Sequence, residues 1–168
     1  MEIWDLYDKN RVFTGKTIVR GEAIPEGYYH LAVHVWIRNS KGEYIISQRA
    51  ADKKAYPLMW ESVGGGVCSG EDTLTAALRE VKEEIGVDLD PARGHIAFTR
   101  RRDIERGKVY RDITDVWLFE YDGDIDLSRA TTKEVLQSHW MTRAEVQKMY
   151  DDGTFIQSLD YFFTEIDK

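Results

Sequence analysis

Cysteine is almost missing from this chain. Cys68 is the only one, so no internal disulfide can form, and no Cys/His spacing of a zinc site is present. Long apolar runs are missing too; none approaches the roughly 18 residues of a membrane span. Basic residues are in deficit, 23 Lys and Arg against 30 Asp and Glu, for a net charge of −7. That excludes a protein that coats nucleic acid. It leaves room for an anionic ligand, because a metal and local arginines can offset the charge. The opening MEIWDLYDKN has neither the basic start nor the apolar stretch of a signal peptide, so a cytoplasmic location is expected. No repeat, low-complexity segment or interior linker interrupts the 168 residues, so one domain spanning 1–168 is expected, as monomer or homodimer. The hydrophobic fraction of 42% and charged fraction of 32% are ordinary for a soluble globule.

What is present centres on GGGVCSGEDTLTAALREVKEEIGV, from Gly64 to Val87. The pattern predicts a glycine turn, a short polar loop, a helix starting near Asp72 or Thr73, and a stop at Gly86. At about 100° per residue, Leu74, Ala77, Leu78, Val81 and Ile85 share one arc that should be buried. Glu80, Glu83 and Glu84, at i, i+3 and i+4, share another. Like charges so spaced repel by roughly 0.2–0.5 kcal/mol per pair. Three hard oxygen ligands within one turn suit Mg²⁺ or Mn²⁺ better than zinc. One turn earlier that arc carries only Thr73 and Ala76, small side chains expected to leave room for a substrate. The alternative is a solvated acidic face with Arg79 and Lys82 as neighbours.

The wider spacing favours the metal. Gly65, Glu71, Arg79-Glu80-Val81, Glu83-Glu84 and Gly86-Val87 match the Nudix hydrolase signature at all nine fixed positions over 23 residues. The resemblance implies that Glu80, Glu83 and Glu84 bind a divalent metal, with the carbonyl of Gly64 as a further ligand. It implies that Arg79 braces the glutamates and that Gly65, Glu71 and Gly86 serve the structure of the motif. Several Nudix enzymes carry another glutamate in a later loop, as base or metal ligand. By position alone, Glu134 is the match.

Elsewhere, alternating and β-branched segments predict strands at Ile3–Tyr7, Val12–Thr17, Tyr28–Arg38, Glu43–Arg49, His95–Arg102, Val109–Tyr121 and Glu134–Met141. Thr142 with Glu145 predicts a capped helix over Arg143–Asp151, and Phe155–Ile166 reads as a final helix. This is an α+β chain, and the resemblance implies a Nudix-type α/β/α sandwich with a mixed sheet between helices.

Further candidates carry alternatives. Arg100, Arg101 and Arg102, with Arg106, Lys108 and Arg111, form a basic hairpin that either grips phosphate or is solvated. Period 2 puts Arg100 and Arg102 on one face and Arg101 on the other. Arg49, Arg100 and Arg102 are the candidate substrate contacts. His30 and His34 share one side of a strand among apolar neighbours and read as satisfied strand residues rather than ligands. Trp36, Trp60, Trp117 and Trp140 read mostly as core. Asp122, Asp124 and Asp126 alternate like the start of a calcium loop, but Leu127 and Lys133 stand where that loop needs Gly and Glu. An acidic hairpin turn is the better reading.

A second resemblance lies in the flank. HLAVHVWIRNSKGEYIISQRAADKKAYPLMWESVGGG, with the earlier WDLYDKN, is similar to isopentenyl diphosphate isomerases of the same superfamily. Their essential cysteine corresponds to Gly64 here, one metal-binding histidine corresponds to Ala23, and their later glutamate pair falls near Ile113 and Asp115. Cys68 lies four residues past the cysteine position. The expected activity is therefore metal-dependent hydrolysis of a phosphoanhydride bond. The substrate class is a nucleoside diphosphate linked to another group, or a related organic diphosphate. An isomerase-like enzyme and an inactive nucleotide-binding module are the alternatives. A small-molecule diphosphate is the expected partner; nucleic-acid polymers and membranes are not.

Overall fold

A computed structural model describes residues Met1–Lys168. The chain opens with an antiparallel hairpin, β1 (Ile3–Tyr7) and β2 (Phe13–Val19). A mixed sheet follows, built from β3 (His30–Arg38), β4 (Tyr44–Arg49), β5 (Trp60–Glu61), β6 (Val63–Gly66), β7 (Gly94–Glu105), β8 (Lys108–Glu120) and β9 (Val135–Met141). Strand β3 runs parallel to β8 from His30↔Asp112 to Arg38↔Glu120, and antiparallel to β6 on its other edge. After the Arg38↔Tyr44 pair, β4 leaves β3 and joins β5 and β9.

Helix α1 (Thr73–Ile85) covers one face of the sheet, and α2 (Arg143–Asp151) with the C-terminal segment covers the other. The alternation of β3 divides the core. Leu31, Val33, Val35 and Ile37 pack with Ala77, Val81 and Ile85 of α1, whereas Trp36 packs with Tyr44, Phe155 and Phe162. Both helices begin and end as the sequence reads. Asp72 accepts the amide of Thr75 at 2.7 Å, and Gly86 ends α1 in the left-handed region with φ 70°. Thr142 and Glu145 form the capping box of α2.

Two elements differ from expectation. Gly64-Gly65-Gly66 is a strand rather than a turn, and none of the three has a positive φ. Their glycine identity answers crowding. A Cβ at Gly64 would lie 2.8 Å from the carbonyl oxygen of Val33, one at Gly65 2.2 Å from Oε1 of Glu80, and one at Gly66 2.6 Å from Nε1 of Trp4. The expected helix over Phe155–Ile166 is also absent. Trp60 donates to the carbonyl of Thr154 at 2.9 Å and accepts the amide of Ile156 at 3.0 Å. That strand-like pairing takes backbone groups a helix would need. The segment then folds into a tight 3₁₀ turn at Gln157–Leu159 and a wider turn at Phe162–Ile166.

Candidate active site

Arg79 is the hub of the glutamate cluster. Its Nε and Nη2 donate to the two oxygens of Glu71 at 2.7 and 2.9 Å. Nη1 donates to Glu80 at 2.9 Å and to Glu83 at 3.3 Å, and Nη2 also reaches the carbonyl of Gly66 at 3.1 Å. Glu71 in turn accepts the amide of Cys68 at 2.9 Å. The hydrogen bonds from Arg79 hold the Glu71 carboxyl below its ordinary pKa. One guanidinium thus ties the loop before α1, the glycine strand β6 and two turns of the helix together.

The helix presents its glutamates unequally. Glu80 and Glu84 are buried, while Glu83 is the more open of the three. Burial pushes Glu80 up to about 7, against the pull of Arg79. Burial also raises Glu84 well above the ordinary carboxylate range, reinforced by Glu61, Glu80 and Glu134, with Lys53 the main opposing charge. Glu61, Glu80 and Glu134 all act on Glu84 through space, and hard carboxylate oxygens of this kind suit Mg²⁺ or Mn²⁺. The bare Cα of Gly65 gives Glu80 its place. No three acidic, His or Cys side chains yet converge tightly enough to grip an ion; Arg79 holds Glu80 and Glu83 toward Glu71. Thr73 and Ala76 open no space for a ligand, contrary to expectation. Both are buried, Ala76 in the core and Thr73 as a donor to Asp115 at 2.6 Å.

The open space lies beyond the C-terminal half of α1. A cavity of about 330 Å³ is bordered by Glu84, Gly64, Gly65, His34, Glu61, Glu134, Arg49 and Lys53. A second hollow shares Arg20, Arg49, Lys53 and Glu134 with it. Glu134 therefore stands at the same cavity as Glu84, with its carboxylate on Lys53 and its carbonyl accepting Ala50 at 2.8 Å.

The arginines divide. Arg49 lines the cavity, with Nη1 on Glu61 at 2.6 Å and Nε on the carbonyl of Ala55 at 2.9 Å. Arg102 also borders it, but its guanidinium is committed to Asp112 at 2.9 Å and stacks on Tyr110 at 3.8 Å. Arg100 does not border this cavity; it packs on Tyr161 at 4.9 Å and donates to the carbonyl of Ser158. Arg101 lies on the opposite face, over Tyr29, as period 2 requires.

Both strand histidines are engaged within the fold. His30 stacks on Trp4 with centroids 4.0 Å apart, and its Nδ1 faces the carbonyl of Leu31. His34 meets the hydroxyl of Tyr161 at 2.6 Å, and burial pushes it down to about 3, so it is neutral. Asp122 accepts Ser40, and Asp126 accepts Ser128, but the segment is a connecting loop rather than the expected hairpin turn, because β9 pairs with β4 and not with β8.

Four residues escaped the sequence reading: Glu61, Asp115 and the cavity-lining cations Arg20 and Lys53. Glu61 is brought to the cavity by β5, whose pairing with β4 sets it beside Arg49. Its only trace in the sequence is an acidic residue just before the glycine run. Asp115 is buried and accepts both Nη atoms of Arg11 at 2.7 Å, Thr73 at 2.6 Å and Thr99 at 2.7 Å. It clamps the first hairpin and the start of α1 to the sheet.

The NUDIX domain family model matches residues 28–159. The Nudix hydrolase lmo0368 of Listeria monocytogenes is 35% identical over 164 residues, covering 97% of this chain and 91% of that protein. The isopentenyl-diphosphate Delta-isomerase of Shigella flexneri is 30% identical over 124 residues, 73% of this chain and 66% of that one. The crystal structure of DR0079 from Deinococcus radiodurans superposes with a TM-score of 0.70 at 22% identity, covering 92% and 91% of the two chains, a likeness of fold. The chain belongs to the NUDIX family and is a Nudix hydrolase, with a flank related to the isomerases.

Proposed function

We propose that this enzyme hydrolyses a phosphoanhydride bond in a nucleoside diphosphate linked to another group, or in a related organic diphosphate, with Mg²⁺ or Mn²⁺. The observation that carries the reading is the position of Glu84, buried near Glu61, Glu80 and Glu134 at the edge of a cavity that Arg20, Arg49 and Lys53 also line. The carboxylates can hold the ion, and the cations interleaved with them can hold the anionic substrate. Glu80, Glu83, Glu84 and the Gly64 carbonyl would be the ligands. A divalent ion there would neutralise phosphoryl charge and acidify a bound water.

The protein's own residues supply the rest. Arg79 orients Glu80 and Glu83. Glu83, the more open glutamate, or Glu134, which borders the cavity, takes the proton of the attacking water. Arg20, Arg49 and Lys53 position the diphosphate, so most of the rate gain comes from alignment and charge neutralisation. Arg102 supports the wall through Asp112. Phosphate or nucleotide release from a panel of nucleotide sugars, dinucleoside polyphosphates, coenzyme A, oxidised nucleotides and isoprenoid diphosphates, with Mg²⁺ and with EDTA, tests this. Turnover of at least one with Mg²⁺ alone is expected.

A further inference from the structure

His34 sits mid-strand in β3, opposite Gly64 of β6. Its Nδ1 lies 2.6 Å from the hydroxyl oxygen of Tyr161, with the two rings nearly parallel. The same oxygen accepts Nε1–H of Trp36 at 3.1 Å. Tyr161 is buried, and the cation over its ring, Arg100, is a donor only. An indole also only donates, so the one phenolic proton is left for an acceptor, and Nδ1 of His34 is the acceptor within reach. The imidazole must then carry its own proton on Nε2.

Nε2 meets no partner inside the protein, yet it is not sealed from solvent. Arg100 Nε is the one sealed side-chain nitrogen or oxygen left without a partner. His34 borders the cavity beside Gly64, Gly65 and Glu84. The free N–H therefore keeps solvent contact at the adjoining hollows that His34 borders, both of which are also lined by Gly64, whose carbonyl is assigned to the metal.

We propose that His34 is a substrate-binding residue whose Nε2–H donates to an anionic oxygen of the bound diphosphate, with Tyr161 and Trp36 as the positioning residues that fix its tautomer. The inference rests on the diphosphate-hydrolase reading. A neutral, directed donor suits this place. It can bond a phosphoryl oxygen without pairing with the nearby carboxylates, as a lysine or arginine would.

The test uses ¹⁵N-labelled full-length protein with Mg²⁺ and methylenediphosphonate as the probe. Ring nitrogen spectra of the unmodified protein should show His34 as the neutral Nε2–H form, and the probe should shift that resonance. His34→Leu should weaken probe binding roughly ten- to a hundred-fold, the range of a hydrogen bond to a charged group. His34→Gln, whose amide nitrogen can occupy the Nε2 place, should recover most of it. Tyr161→Phe should mix the tautomers and weaken binding less. An Nδ1–H tautomer, or equal binding by the unmodified protein and His34→Leu, would overturn the role of His34 and leave the hydrolase reading standing. No binding of the probe by unmodified protein with Mg²⁺ would overturn both.

Discussion

The backbone carbonyl of Glu83 accepts the amide of Thr131 at 2.9 Å, and that of Thr132 at 3.1 Å. The residue whose carboxylate faces Arg79 thus also anchors the loop that carries Glu134. Helix and loop are set relative to one another by main-chain bonds, which side-chain substitution at Glu83 leaves in place.

It follows that Glu83→Gln should lower kcat at least about 100-fold while leaving the fold intact, and Glu84→Gln should do the same. Under the proposed mechanism each change removes a metal ligand or base, a loss on the scale of one transition-state contact. Each also relieves repulsion, so thermal stability of the metal-free protein should hold or rise. Steady-state rates at saturating Mg²⁺, with melting curves beside them, check both halves. An unchanged rate would remove these residues from the mechanism.

The metal-free protein should lose stability as pH rises through the carboxylate range to neutrality. Glu80 has an ordinary pKa of 4.5 and is raised to about 7 in the fold, and Glu84 is raised as well. A carboxyl with a raised folded pKa leaves stability whole below its unfolded value. It subtracts increasingly as pH climbs through the folded one. For Glu80 that is about 2–3 kcal/mol between pH 4.5 and 7. Chemical denaturation in EDTA across this window should show the decline, and Glu80→Gln should flatten it. Added Mg²⁺ should reverse it at the upper end.

Asp115 gives a change of the opposite sign. Burial alone would raise its pKa, but hydrogen bonds from Arg11, Thr73 and Thr99 outweigh that and hold it below the ordinary value. Asp115→Ala should cost about 1–3 kcal/mol, because it strands the buried hydroxyl of Thr73 and removes the bonds from Arg11 and Thr99. The melting temperature should drop accordingly. A drop of less than a degree would mean the clamp is idle.

How much of this was legible beforehand follows from where each cause lies. Helix α1 was readable because its caps, Asp72 and Gly86, and its apolar arc are local. The Arg79 hub came through the family signature, since no spacing rule places Glu71 on the same guanidinium. The strand at Gly64–Gly66 was not readable. Glycine weakens strands, and its reason here is the approach of Val33, Glu80 and Trp4 from three separate segments. Glu61 and the broken C-terminal helix share that difficulty, because both depend on β5 finding its neighbours. Arg102 looked like a phosphate grip because its partner Asp112 sits across a hairpin, in a register that the sequence alone leaves open.

The isomerase flank should bring no isomerase activity. Gly64 stands where the related enzymes place a cysteine, and even a bare Cβ there would lie 2.8 Å from the Val33 carbonyl oxygen. Cys68 does not border the cavity, and its backbone amide serves Glu71. NMR of isopentenyl diphosphate incubated with the enzyme in D₂O should show no deuterium entering carbon. Incorporation at enzyme-like rates would make isomerisation the better reading.

The most direct measurement is hydrolysis of the best panel substrate in H₂¹⁸O with Mg²⁺, with excess EDTA as the control. One heavy oxygen should appear on a phosphoryl product, showing water attack at phosphorus, and EDTA should abolish turnover. Full activity in EDTA, or product with no label on phosphorus, would contradict metal-dependent phosphoanhydride hydrolysis.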